Sequence, residues 1–189
     1  MPPRTMLKLV PPPAVAEASA RGDGEQPDFA TLFELYASWV AALASRLCGR
    51  SADVDDIVQD VFFVCARKLG TITSAAEAKP WLRTVTVRVV KKRMRLQRWG
   101  AWFRSSDDGL TEIPYQGLRP DEHAMLQALY RSLEALPVDE RLAWTLRHVE
   151  GASLEEVAQG CGCSLATAKR RIARAAGTLR EKGHDASEA

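Results

Sequence analysis

Residues 153–180 read SLEEVAQGCGCSLATAKRRIARAAGTLR, and this stretch has the form of two short helices with a tight turn between them. Ser153 can cap the first helix, with Glu156 three residues on to complete a capping box. Gly160, Cys161, Gly162 and Cys163 break it, because closely spaced glycines let the backbone turn sharply. Ser164 can cap the second helix. There Leu165, Ala168, Ile172, Ala175 and Leu179 recur at steps of three and four and form one apolar stripe. Arg170 lies almost opposite that stripe. Thr167, Ala173 and Arg174 share the outer face, and Lys169 and Arg171 flank it. The plainer reading is a basic amphipathic helix on a solvated surface. The capping box, the glycine turn and the small Ala158, where the helices must approach, favour a helix-turn-helix that enters a DNA major groove.

Working outward, the chain has 189 residues, enough for one ordinary domain or two small ones. Its net charge of +2 hides an uneven distribution. Lys79, Arg83, Arg88, Lys91, Lys92, Arg93, Arg95, Arg98 and Arg104 follow one another with no acid between them, whereas Asp53, Asp55, Asp56 and Asp60 crowd one short segment. Such segregation suits a chain that meets a polyanion with one surface and a different partner with another. No apolar run is long enough to span a bilayer, so no membrane insertion is expected. No signal core opens the chain, and a cytoplasmic location is expected.

Residues 1–26, rich in proline and alanine, read as a disordered lead. Phe29, Leu32, Phe33, Tyr36, Val40, Leu43 and Leu47 then mark a long helix ending near Gly49. A second helix has Asp53 as its cap, a stripe of Val54, Ile57, Val58, Val61, Phe62, Cys65 and Leu69, and Gly70 as its stop. Asp56, Gln59, Asp60 and Phe63 lie off the stripe. They are either a solvated acidic face or a docking face for a basic partner. Thr71 to Ala78 reads as a loop or weak turn, and Pro80 as the first turn of the next helix. Thr84 to Val90, TVTVRVV, alternates like a strand. Trp81, Leu82, Val85 and Val89 also fit a helix, which is the assignment made here, since context overrides small propensity differences. With no balancing acid in the run, its cations are assigned to a nucleic-acid backbone. Trp99, Trp102 and Phe103 among arginines suit stacking on unpaired bases, or equally anchoring of the helix end.

Ser105 to Arg119 is polar and reads as a linker. Helical spacing returns through Met125, Leu129, Tyr130, Leu133 and Leu136, is interrupted at Pro137, and resumes from Asp139 to His148 with Gly151 as the stop. The tail after Lys182 reads as frayed. The expected fold is all-α: two small helical domains joined by a flexible linker, the second containing the helix-turn-helix. The expected bounds are 1–26 lead, 27–99 first domain, 100–119 linker, 120–183 second domain and 184–189 tail.

His123, His148 and His184 have no triad or metal partner in the sequence, and no phosphate-cradling glycine loop occurs, so the chain does not read as an enzyme and no cofactor is expected. Cys48 and Cys65 fall in helical patterns as small buried residues. Cys161 and Cys163 lack structural-zinc spacing, and no metal site is assigned.

DVDDIVQDVFF followed by KPWLRTV resembles the second conserved region of bacterial RNA polymerase sigma factors. LEALPVDERLAWTLRHVEGASLEEVAQGCGCSLATAKRRIARAAGTLR resembles their fourth. The absence of a domain between them resembles the extracytoplasmic-function group. The resemblance covers about Asp28 to Lys182 and implies core RNA polymerase and promoter DNA as partners, together with an anti-sigma factor. It implies that Asp56, Gln59, Asp60 and Phe63 contact the core enzyme. The Thr71 to Ala78 loop then matches the segment that captures a flipped base. Lys79, Trp81, Arg83, Arg88, Lys91, Lys92 and Arg95 fall on the helix that reads and melts the downstream promoter element. Thr167, Lys169, Arg170, Arg171, Ala173 and Arg174 fall at the upstream element. The chain departs from the family pattern at Arg88 and Lys92, where an asparagine and an acid are usual, and at Arg170 and Ala173. The runner-up is a stand-alone helix-turn-helix regulator that never touches polymerase.

Overall fold

The computed structural model describes residues 27–48, 53–72, 75–101 and 119–185. These residues form seven α-helices and one 3-10 turn, with no strand among them: α1 Phe29–Cys48, α2 Val54–Lys68, a 3-10 turn Leu69–Thr71, α3 Ala75–Ala101, α4 Pro120–Glu134, α5 Val138–His148, α6 Leu154–Cys161 and α7 Leu165–Asp185. The all-α expectation therefore holds. The expected lead and nearly all of the expected linker lie outside the described residues.

Helices α1 and α2 pair through Leu32, Val40, Leu43 and Leu47 against Ile57, Val61, Phe62 and Cys65, all buried. Helix α3 lies against both. The ambiguous TVTVRVV run is helical. Thr84 and Thr86 turn their hydroxyls back onto the carbonyls of Pro80 and Leu82 at 3.1 and 2.8 Å, which satisfies two polar groups that would otherwise resist burial. Its valines Val85, Val87 and Val90 are buried.

Several local expectations change. Helix α3 starts five residues before Pro80, so the proline lies in its second turn and forfeits one backbone hydrogen bond. The expected Thr71 to Ala78 loop is correspondingly short: Ile72 is extended and buried, and Ala78 is already a buried helical residue. Asp53 precedes α2 but its side chain makes no capping bond. Gly70 is no left-handed stop; it sits in the 3-10 turn. At the other end α3 continues to Ala101, into the first residues of the expected linker, and α7 runs to Asp185, past the point where the tail was to fray.

A second, smaller core joins Tyr130, Leu133 and Leu136 of the α4 segment to Trp144 of α5 and Ala175 of α7. The α6–α7 unit forms as its sequence requires. Ser153 and Glu156 exchange both capping-box bonds, and Ser164 Oγ accepts from the Thr167 amide at 3.2 Å. Gly160 and Cys161 remain in α6, and the break falls at Gly162, in the left-handed region at φ 62°. There the Cys163 amide bonds the Ala158 carbonyl at 3.0 Å, a Schellman-type closure. On α7, Ala168 and Ala175 are buried and Ile172 and Leu179 half-buried, but Leu165 is exposed, so the stripe begins one turn later than expected.

The larger core is continuous across both halves of the chain. It runs from Leu32 of α1 through Val87, Val90 and Met94 of α3 to Leu142 and Leu146 of α5, Val157 of α6 and Ala168 of α7. A polar seam accompanies it. The buried Arg46 guanidinium grips Glu150 through both carboxylate oxygens. Arg141 donates to the Cys48 carbonyl, and the Tyr130 hydroxyl to the Arg46 carbonyl.

Two stability outcomes follow. Gly162→Ala should cost about 1–2 kcal/mol in urea unfolding, because a Cβ in the left-handed region is strained; Gly70→Ala, with no positive φ and no atom within 4 Å of a new Cβ, should change stability by less than about 0.5 kcal/mol. Glu150→Ala should cost about 3–5 kcal/mol by leaving Arg46 buried without its carboxylate, whereas Glu156→Gln, at a partly exposed pair, should cost at most about 1 kcal/mol.

Candidate nucleic-acid and polymerase interfaces

Three surfaces carry the residues singled out in the sequence. The first is the outer side of α2. Burial of Ile57, Val61, Phe62 and Cys65 turns Asp56, Gln59, Asp60 and Phe63 to solvent. Phe63 is 61% exposed, unusual for an aromatic with no structural duty, and Arg67 lies over its ring at 5.8 Å. Arg93 of α3 donates to Asp60 at 2.8 Å and to Asp56 at 3.2 Å. Hydrogen bonding to Asp60 raises the Arg93 pKa above its ordinary value. Both carboxylates nevertheless stay more than half exposed.

The second is the cationic side of α3. At about 100° per residue, Arg88 and Lys92 point away from both buried faces, and both are exposed. Trp81 is half-buried beside them, and Lys79 lies 5.7 Å from the Trp39 ring centroid. The remaining cations differ from expectation. The run lacks acids in sequence but not in space: Arg83 pairs with Glu156 of α6, while Lys91 and Arg95 pair with Asp139 of α5. The downstream set therefore divides into an open group and a group turned toward the second half of the chain. Arg98, Trp99, Trp102, Phe103 and Arg104 fall where side chains are not described.

The third is the outer face of α7. Lys169, Arg170, Ala173 and Arg174 are exposed and Thr167 half-buried. Thr167 Oγ1 accepts from Arg170 at 3.4 Å. Arg171 is drawn inward, with Nη2 3.3 Å from Asp139. Asp139 thus faces Lys91, Arg95 and Arg171 at once. Its burial would raise its pKa, but the hydrogen bond and charge of Lys91, with Arg171 and Arg95, outweigh that and hold it below the usual carboxylate value. Glu156 is likewise lowered, first by the hydrogen bond from Arg83 and then by the Ser153 amide. Sequence reasoning missed Asp139 and Glu150, which look like ordinary first-turn and loop acids until the chain folds.

Residues 32–100 match the family model for sigma-70 region 2, and residues 126–179 match that for sigma-70 region 4. The ECF RNA polymerase sigma-E factor of Escherichia coli K12 is 33% identical over 164 residues, covering 80% of this chain and 84% of that protein.

This chain belongs to the extracytoplasmic-function group of sigma-70 factors.

It is similar also to the RNA polymerase sigma factor CarQ of Myxococcus xanthus, at 31% identity over 84% of this chain and 91% of CarQ. Among solved structures it resembles the sigma factor RpoE of Bartonella quintana, determined in complex with the anti-sigma factor NepR. The TM-score is 0.63 at 27% identity, covering 82% of this chain and 95% of that one. A sigma factor binds core RNA polymerase and directs promoter-specific initiation, and that is the function of this family member. Matching both regions in one chain disfavours the stand-alone regulator. No helix among the described residues is long and apolar enough to cross a membrane.

The paired cysteines form no part of these surfaces. Cys161 is buried at the end of α6, and burial, then the neighbouring Cys163, pushes its thiol up to about 11. Cys48 and Cys65 are buried as expected, and Cys163 is half-exposed. Iodoacetamide at pH 7.5 should therefore modify Cys163 first and reach Cys161, Cys48 and Cys65 only in denaturant. Peptide mass spectrometry reads the order, and equal modification of Cys161 and Cys163 in the native protein would contradict it.

Proposed function

We propose that this sigma factor docks on core polymerase through Asp56, Gln59, Asp60 and Phe63 of α2. It grips the upstream promoter element as duplex through Thr167, Lys169, Arg170, Ala173 and Arg174 of α7, with Arg171 at the flank of that face as a phosphate contact. The downstream element is opened and held by Lys79, Trp81, Arg83, Arg88, Lys91, Lys92 and Arg95 of α3. In this reading residues 27–99 and 120–183 are the two functional domains and 100–119 the tether between them. The observation that carries the reading is the outer face of α7. Its basic and small residues stand in solvent while Ala168 and Ala175 seal the inner face, as groove entry requires.

The mechanism is binding free energy without bond chemistry. Arg170 and Arg174 lie one turn apart, and arginine can donate two hydrogen bonds to a guanine edge. Flipping a downstream base costs a few kcal/mol, which the cations and aromatic side chains of α3 offset. An anti-sigma factor, of the kind seen with the Bartonella quintana protein, is the expected regulator, and the cytoplasm, where polymerase works, the expected site of action.

Two measurements test these roles. Asp56→Lys with Asp60→Lys should weaken binding to core polymerase without unfolding the protein, because the buried stripe of α2 is untouched. Undiminished affinity in a core titration would remove α2 from the docking role. In titrations against single-base variants of the upstream element, Arg170→Ala or Arg174→Ala should relax base preference at one position by about 1–3 kcal/mol. Even loss across the whole panel would mean that this face does not read bases.

A further inference from the structure

Asp56 and Asp60 stand one turn apart on the outer side of α2, and a single side chain of α3 reaches both. Arg93 Nη1 donates to Asp56 Oδ2 at 3.2 Å, while Nε and Nη2 both donate to Asp60 Oδ2, at 3.2 and 2.8 Å. Every guanidinium nitrogen is therefore used. Each carboxylate is engaged through Oδ2, which leaves its Oδ1 outside the fork. The Asp56 and Asp60 side chains remain 65% and 53% exposed, whereas Arg93 is only 25% exposed. The arginine is set by its helix, since Val90 and Met94 on the same stretch are buried.

This arrangement does little for the fold. Ion pairs to exposed carboxylates contribute little to stability, and Ile57, Val61, Phe62 and Cys65 already hold α2 by burial. What the fork supplies is order. Two acids four residues apart on a helix repel one another, and a free aspartate samples several rotamers. Arg93 offsets the repulsion and holds both carboxylates in one arrangement, about one helical turn of 5.4 Å apart, with an oxygen of each facing out.

We propose that Arg93 is a positioning residue for the α2 docking face. It aims the Asp56 and Asp60 carboxylates so that a basic surface of core polymerase meets a pre-set pair of oxygens. The inference rests on the docking role proposed above for α2 and adds to it a residue of another helix.

Two effects of Arg93 oppose each other. Its charge partly cancels the acids and lowers their attraction for a basic partner. Its hydrogen bonds remove in advance the cost of ordering two side chains on binding. The attraction lost is small, because exposed charges act through a high dielectric and are screened by salt, so the ordering effect wins. Lysine could not serve as well: an ammonium is a compact charge on a flexible stem and lacks the flat fork that spans both carboxylates.

The test is a titration of core RNA polymerase with the full-length chain. Arg131→Gln, at an exposed site on α4, removes the same charge away from α2 and is the reference. Arg93→Gln should bind core about fivefold more weakly than the reference, with the same urea midpoint. Arg93→Lys should fall nearer to Arg93→Gln than to the parent. In a chain that already carries Asp56→Asn and Asp60→Asn, adding Arg93→Gln should cause no further loss, since coupled residues are not additive. Arg93→Gln binding as tightly as the reference overturns the proposal, and tighter binding means that the arginine only competes for the acids. Parent-like binding by Arg93→Lys overturns it too, because charge alone then suffices. An equal loss with and without the acids means that Arg93 touches polymerase itself, and a lowered urea midpoint means that its role is structural. If Asp56→Asn/Asp60→Asn binds like the parent, the docking role of α2 fails and the positioning role with it. If the acids matter and Arg93→Gln does not, docking by α2 stands and only the positioning role falls.

Discussion

Helix α3 is buried on two sides, and the arrangement of the whole chain depends on that. One face, with Ala78, Leu82, Val85 and Thr86, closes the α1–α2 pair; the adjoining face, with Val87, Val90 and Met94, continues the same core toward α5 and α6. A helix whose apolar arc is that wide cannot be satisfied by a single hairpin. At about 25 cal/mol per Å² of apolar surface removed from water, uncovering Val87 and Val90 would be expensive unless something replaced α6. What is left of the circumference must carry all the charge, so the cations of α3 are crowded onto one strip, unpaired with the second half at Arg88 and Lys92 and paired with Asp139 at Lys91 and Arg95.

Local structure was legible where the determinants are local. The capping box at Ser153 and Glu156, the cap at Ser164 and the stripe of α2 depend on residues three or four apart, and the structure forms them as the sequence reads. The ambiguous TVTVRVV run shows the limit. Its alternation comes from β-branched residues that fill two buried faces of one helix, so a two-residue period conceals a wide helical arc. Pro80 misleads for a related reason: proline favours a first turn but tolerates the second when packing holds the helix, and Ala78 and Leu82 supply that packing. Leu165 fits the stripe by spacing yet is exposed, because α7 docks from Ala168 onward.

The charge pattern was harder to read. The cations of α3 look unbalanced because their acids lie far along the chain: Asp139 is 44 residues from Arg95, and Glu156 is 73 from Arg83. Nor does any short-range signal single out Arg46 and Arg141, which are buried and hydrogen-bonded to groups about a hundred residues away. Inferring a polyanion partner from a one-sign run reads the partner's charge correctly but not its source. In the closed chain the nearest anions are its own.

That distinction bears on how the surfaces can be used. The outer side of α2 and the outer face of α7 are both exposed, and neither depends on how the halves are packed. The strip on α3 is different, since Arg83, Lys91 and Arg95, three of its seven described cations, are engaged with acids of α5 and α6. Lys91 is largely enclosed by its pairing with Asp139, whereas Arg95 pairs with the same carboxylate and still keeps more than half of its side chain in solvent.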